Sequence, residues 1–354
     1  MTAPEAIALP RSSARRRGSL GPFAIAWLLL AVVVVLATML GTTSIPASAV
    51  LGAIWNHLPL IGGGVSVEQG WERIVIDVRL PRVVTAGLAG AALASSGAAY
   101  QGVFRNPLAD PFLLGVASGA ALGAALGVVL PIPALGYSAV PVLAFVGAVI
   151  AVVLAYTASR TGATVSNTSL ILAGVAIAAM AGAATSFILL TSNERALTIF
   201  GFLFGSFNAA SWPRALTALP YLVVGITVLL VYARVLNVLQ LDEEQADQLG
   251  VDVSRTRMAV LTAASLTAAT AVAMAGVIGF VGLIVPHVVR IVFGVDYRRV
   301  LPLSALLGAV FLIAADMLAR TVLRPQEVPV GIVTAMVGGP FFLALMRSRL
   351  GALR

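Results

Sequence analysis

Residues 112–159 read FLLGVASGAALGAALGVVLPIPALGYSAVPVLAFVGAVIAVVLAYTAS, 48 residues without a single charge. A helix crosses the hydrocarbon core of a bilayer with about 20 apolar residues, so this stretch is long enough for two crossings. Pro131, Pro133 and Gly136 interrupt it near the middle and predict a hairpin of two spans. Its first half carries Gly115, Gly119, Gly123 and Gly127, one every four residues. That spacing lays a bare stripe along one helix face, where a neighbouring backbone can approach closely. The stripe reads as packing rather than as a ligand site.

The flanking sequence repeats the pattern. With 113–130 and 139–158 from the hairpin, uncharged apolar stretches at 23–41, 83–104, 168–190, 215–233, 258–278, 280–294, 301–319 and 328–346 make ten candidate spans. All are predicted to be helical, because a lipid-exposed strand leaves its backbone unsatisfied. Residues 258–289 are too many for one helix, and Gly276, Gly279 and Gly282 predict a bend within them. The fold class is thus an all-α integral membrane protein of about ten transmembrane helices. Composition agrees: 60% of the 354 residues are hydrophobic and 10% charged, against roughly 25% charged in a soluble domain. Residues 45–58, with Trp55, read as an amphipathic helix in the outer interface, and 196–213 as a short re-entrant or surface helix. Residues 1–22 form a polar arm with Arg11, Arg15, Arg16 and Arg17, leaving 23–354 as the membrane domain. Ala47-Ser48-Ala49 resembles a leader cleavage site, but the 19-residue run at 23–41 exceeds the about 7–15 residues of a leader's apolar region.

With the N-terminus inside, fifteen Arg fall on the inner side and seven on the outer, as the positive-inside rule requires. Both termini are then cytoplasmic, and the scattered basic residues read as topology signals rather than a nucleic-acid surface. All 22 basic residues are Arg, so no Lys is present for a P-loop or a Schiff base. There is no Cys, and His57 and His287 are the only His, which removes thiolate chemistry and the common zinc sites. No metal or cofactor is assigned to this chain. An intramembrane hydrolase lacks its motifs, since Ser118 stands in VASG and Asp296 in FGVD.

Three polar features remain. Arg79-Leu80-Pro81-Arg82 and Arg320 break the inside bias at the outer end. They read either as carboxylate-binding guanidiniums or as helix anchors paired with Asp77 and Glu327. Asp316 is an intramembrane acid with Arg320 one turn on, which favours an ion pair over a proton relay. Residues 241–257, LDEEQADQLGVDVSRTR, form an acidic inner loop in which Leu241, Ala246 and Leu249 share a helix face and Gly250 supplies a left-handed stop. A partner-binding protrusion and a solvated loop both fit. The loop 105–111, RNPLADP, punctuates structure. Finally, GAAYQGVFRNP (97–107) echoes GVIGFVGLIVP (276–286), and Gly174–Gly182 echoes Gly331–Gly339, in opposite membrane orientations. An inverted repeat would do this, as would chance in a Gly-rich chain.

The motifs RLPR (79–82), QGVFRNPLADPFLLGVASGA (101–120), LILAGVAI (170–177), DEEQADQLGV (242–251), GFVGLIVPHVVR (279–290) and PVGIVTAMVGGPFF (329–342) together resemble the FecCD family. These are permease subunits of type II ABC importers for ferric siderophores, haem and cobalamin. The resemblance spans all but the arm and implies a homodimer around one path in a bacterial inner membrane. It also implies two cytoplasmic ATPase subunits carrying ATP and Mg, and an external substrate-binding protein. On that resemblance Arg79, Arg82 and Arg320 are basic knobs for the binding protein. Asp242, Glu243, Glu244, Asp247, Leu249 and Gly250 belong to the coupling helices that seat in the ATPase. Ser166, Asn167, Thr168 and Ser169 match the inner gate, with Asn in place of a Thr of the cobalamin member, and Gly174 and Gly338 would line the path. The alternative is an ion-coupled secondary transporter, carried by Asp316 and the echo.

Overall fold

The computed structural model describes residues 21–41, 43–57, 62–130, 132, 139–161, 164–192, 195–241 and 243–351. The helices in chain order are α1 (Gly21–Met39), α2 (Ala47–Asn56), α3 (Gln69–Arg73), α4 (Leu80–Val103), α5 (Val116–Val129), α6 (Ala139–Ser159), α7 (Asn167–Thr191), α8 (Ala196–Leu203), α9 (Trp212–Val231), α10 (Ala233–Val238), α11 (Glu243–Gln248), α12 (Val253–Ala275), α13 (Val281–Phe293), α14 (Tyr297–Thr321) and α15 (Val330–Gly351). A π-helical turn, Ile74–Arg79, joins α3 to α4, and a two-residue antiparallel pair, β1 (Arg160–Thr161) and β2 (Thr164–Val165), joins α6 to α7.

Each of the ten predicted spans is found as a helix. Seven helical segments are long and apolar enough to cross a membrane, while α5, α13 and the apolar part of α15 are shorter. The amphipathic segment is α2, and the broken run after 196 is α8 followed by a loop. Residues 1–20 of the arm lie outside the described residues, and its last two residues already belong to α1.

Small residues decide the packing. In α4 and α12, which form the buried centre with α14, most buried positions are Ala, Gly, Ser or Thr. A Cβ on Gly90 would strike the Gly308 backbone of α14, and one on Gly97 the Gly282 backbone of α13. Backbones therefore touch, which is how helices gain dispersion energy where lipid offers no hydrophobic drive. The glycine stripe of α5 packs as its spacing predicts: Gly119 lies on Gly147, Gly123 on Leu143 and Gly127 on the Ala139–Val140 backbone, all in α6. Several buried hydroxyls bond within the bundle. Thr85 and Thr267 donate to carbonyls one turn back at 2.6 and 2.7 Å, and Tyr100 Oη meets Ser265 Oγ at 2.6 Å.

The bend after α12 is sharper than glycine alone requires. Gly276 has φ +74°, and a side chain there would meet the Phe202 carbonyl. Phe280 itself adopts φ +69° to open α13, a conformation disfavoured for a bulky residue.

Candidate functional sites at the outer and inner ends

Proline shapes the site at the start of α4. Pro81 has no N–H to donate, and Leu80 N–H reaches back five residues to Val75 O, widening the turn before α4. The Ile76 carbonyl accepts instead from Trp212 Nε1 at 2.8 Å, which ties the start of α9 to this turn. Arg79 and Arg82 thereby face the C-terminal ends of α1 and α14. Arg82 Nη2 lies 2.9 Å from Asp316 Oδ1, and its Nη1 2.9 Å from Glu327 Oε2. Asp316 Oδ2 also accepts from Arg320 Nε at 3.0 Å.

The remaining donors of this cluster cap a helix. An α-helix ends with unsatisfied carbonyls, and those of α1 are met by guanidiniums. Arg320 donates to Ala37 O at 3.1 Å and Leu40 O at 3.3 Å, while Arg79 donates to Thr38 O and Met39 O at 2.8 Å each. Arg79 also bonds Thr43 O and Thr43 Oγ1. Gly41 leaves the room, since a Cβ there would stand 3.0 Å from Arg79 Nη2. Cations at a helix C-terminus also answer its dipole.

Arg79, Arg82 and Arg320 come together in space, and Arg79 and Arg320 take the helix-anchor arrangement. They do not stand out as three knobs: Arg79 is 6% and Arg320 3% exposed, both occupied by α1. Arg82 keeps 14% of its side chain at the surface. Of the two predicted acid partners, Glu327 pairs and Asp77 stays exposed. Asp316 sits between two guanidiniums as an ion-pair centre. Nothing in the sequence linked Arg82 to Asp316, because the π turn that aims Arg82 has no period of its own.

At the opposite end, α11 buries Ala246 and exposes Glu244, Asp247 and Leu249, the last to 63%. The predicted shared apolar face is therefore corrected: Ala246 packs inward, whereas Leu241 and Leu249 face out. Gly250, at φ +78°, stops the helix as read, with Gly250 N–H on Asp247 O at 2.8 Å and Val251 N–H on Ala246 O at 3.1 Å. Asp252 then caps α12 through Arg255 N–H at 2.9 Å. Asp242 lies outside the described residues, as does the side chain of Glu243.

Ser166 caps α7, accepting from Ser169 N–H at 3.0 Å and donating to Ser169 Oγ at 2.9 Å. Asn167 Oδ1 is buried with no hydrogen-bond partner, and Thr168 is exposed. The two glycines assigned to the path both lie in close contacts within the chain. Gly174 is pressed on the Leu113 carbonyl, and Gly338 seats the ring of Phe280. Both pack closely, while Leu172, Val175, Met180, Phe187 and Leu190 of α7 and Met336, Val337 and Leu343 of α15 are among the exposed apolar residues on those helices.

The echo segments meet each other, Gly97 on Gly282, with Gln101 Nε2 donating to Gly282 O at 3.3 Å. Gln101 also accepts from Arg290, and together with Arg105, Asn237, Gln240, Asp296 and Tyr297 it lines a polar inner cavity of about 450 Å³. Burial would raise the Asp296 carboxyl, but hydrogen bonds from Arg298 N–H and Asn237 and the charges of Arg298 and Arg299 hold it below its ordinary value. Asp110 of the neighbouring loop is pushed up to about 6 by burial, against the bond it accepts from Phe112 N–H. Sequence reading missed this cavity, although Asp296 ahead of α14 is a legible N-cap.

The profile of the FecCD transport family matches residues 29–348. The cobalamin import system permease protein of Halobacterium salinarum is 42% identical over 322 residues, covering 86% of this chain and 86% of that protein. The hemin transport system permease protein of Yersinia pestis is 40% identical over 327 residues, covering 90% and 93%. Among solved structures, an inward-facing metal-chelate type ABC transporter has a TM-score of 0.79 at 30% identity, covering 92% of this chain and 98% of that one.

Proposed function

The chain belongs to the FecCD transport family, and from that premise we propose that it is the permease subunit of a binding-protein-dependent ABC importer for a bulky metal chelate. The observation that carries this reading is agreement over most of the chain, in sequence with permeases whose names specify cobalamin and hemin and in helix layout with a metal-chelate transporter. Ferric siderophore is the first cargo to test, with haem and cobalamin next. Two copies enclose the path in a bacterial inner membrane with both termini cytoplasmic. Two ATPase subunits, which hold the ATP and Mg, seat α11 and the Leu249–Gly250 turn. Nucleotide-driven closure there tilts the spans and alternates an outer gate with an inner one at Ser166, Asn167, Thr168 and Ser169. No covalent step on the cargo is required of this chain.

The binding protein docks at the outer end. Arg82 is the member of the basic trio that offers a contact, and Arg79 and Arg320 hold the face from beneath by fixing α1. The secondary-transporter reading loses its main support, because Asp316 is committed to two guanidiniums.

Reconstitution tests the function directly. The chain is placed in vesicles with the ATPase and binding protein encoded beside it, and uptake is compared for ferric siderophore, haem and cobalamin. ATP-dependent uptake of one of them supports the reading and names the cargo. Uptake of a cargo with no ATPase present would overturn it in favour of ion coupling.

A further inference from the structure

The inner ends of α9, α10 and α14 frame a cavity of about 390 Å³ lined by Leu230, Val231, Ala233, Arg234 and Arg298. Its lining is mixed: two arginines stand beside Leu230 and Val231, which are 41% and 71% exposed. Both arginines are exposed, and neither guanidinium forms an ion pair among the described residues. The carboxylate beside Arg298 belongs to Asp296, and it is already taken by Asn237 Nδ2 at 2.7 Å and Arg298 N–H at 2.9 Å. Next door, on the other side of α9, a second groove of about 430 Å³ is lined by Val224, Val228 and Met258, with Arg255 at its edge. There the guanidinium is neutralised by Asp252 at 3.0 Å.

We propose that the Arg234/Arg298 cavity binds the headgroup of an anionic phospholipid of the inner leaflet, with an acyl chain along Leu230 and Val231. Two exposed guanidiniums, neither in a close ion pair among the described residues, beside Leu230 and Val231 at the membrane boundary match a phosphate diester above its hydrocarbon chain. The Arg255 groove is more apolar and its guanidinium already has a carboxylate partner, so it does not discriminate between lipids. The inference rests on the orientation proposed above, with these helix ends at the cytoplasmic leaflet.

The test titrates the purified full chain in detergent with phosphatidylglycerol or phosphatidylcholine of identical acyl chains, read by native mass spectrometry, with inorganic phosphate as a third arm. Phosphatidylglycerol is expected to bind preferentially. A surface guanidinium is worth about a factor of 5 toward an anionic lipid, so R234Q/R298Q should weaken it about 30-fold, whereas R255Q should not. If the double variant does not fold, R234Q and R298Q alone should each lose about 5-fold. Equal binding of the two lipids, unchanged binding in the variants, or full displacement by inorganic phosphate would overturn the proposal. Orientation is read separately by labelling R299C in this Cys-free chain. Labelling from the outer side alone would remove the inner-leaflet assignment while leaving the transport measurement to stand or fall by itself.

Discussion

Arg82 and Asp316, 234 residues apart in sequence, meet through Arg82 Nη2 and Asp316 Oδ1 at 2.9 Å with the carboxylate 2% exposed. The same carboxylate holds Arg320, which in turn holds α1, so one acid joins the ends of three helices, α1, α4 and α14. Removing one partner of a buried pair strands the other charge. Asp316→Ala leaves two guanidiniums facing each other and should cost about 3–5 kcal/mol, read as a lowered unfolding midpoint in detergent. Arg82→Met with Asp316→Leu should be milder than Asp316→Ala, because the two charges leave together. Equal loss in both variants would mean that the pair is not the unit.

Backbone contact gives a second prediction. A side chain on Gly97 has to displace the Gly282 backbone, whereas Gly182 has nothing within 4 Å. Gly97→Val should therefore destabilise by at least about 3 kcal/mol or prevent folding, since a helix backbone cannot yield as a side chain can. Gly182→Ala should be neutral in the same thermal measurement. If Gly97→Val keeps the wild-type midpoint, close approach of α4 and α13 is not what holds the centre.

These two sites differ in how legible they were. Helix positions were readable because apolar length and Pro/Gly interruption are local signals, and the α5 stripe was readable because its period matches the helix. Gly174 and Gly338 were less legible. A glycine announces only that something comes close, and within the chain the neighbour is the Leu113 backbone or the Phe280 ring. Orientation of the basic trio was hidden for another reason. It depends on a π turn and on the ends of α1, which are tertiary facts with no sequence period. At Phe280 no sequence signal marks the positive φ, because tertiary packing overrides the local preference.

Asp110 supplies a pH signature. Its carboxyl is pushed from 3.8 to about 6 by burial, so the folded chain binds this proton more tightly than the unfolded one. The sign follows: the contribution is fully present below about pH 4 and is lost as pH rises through about 6. Asp110→Asn keeps an acceptor for Phe112 N–H and cannot ionise. The wild type should thus lose stability relative to Asp110→Asn between about pH 4 and 6, with no further divergence above. A stability difference independent of pH across that range would contradict the burial.

Coupling at the inner end makes the last prediction. Leu249 is a large apolar side chain 63% exposed, held by Gly250 at φ +78° between the exposed acids of α11 and the cap of α12. Left in water it gains nothing, and its burial in a partner groove would contribute about 1.5–3 kcal/mol, or roughly 10- to 100-fold in ATPase affinity. Leu249→Glu should lower co-purification of the ATPase and uptake by that order while leaving the thermal midpoint of the isolated chain unchanged. Leu249→Met should retain both, because it restores apolar area without restoring shape. Gly250→Val acts on the same contact indirectly, since a β-branched residue is strained at positive φ and has to reopen the turn that presents Leu249. It should reduce both assembly and chain stability. Normal ATPase assembly in Leu249→Glu would remove this turn from the interface and leave the exposed leucine as a solvated loop residue.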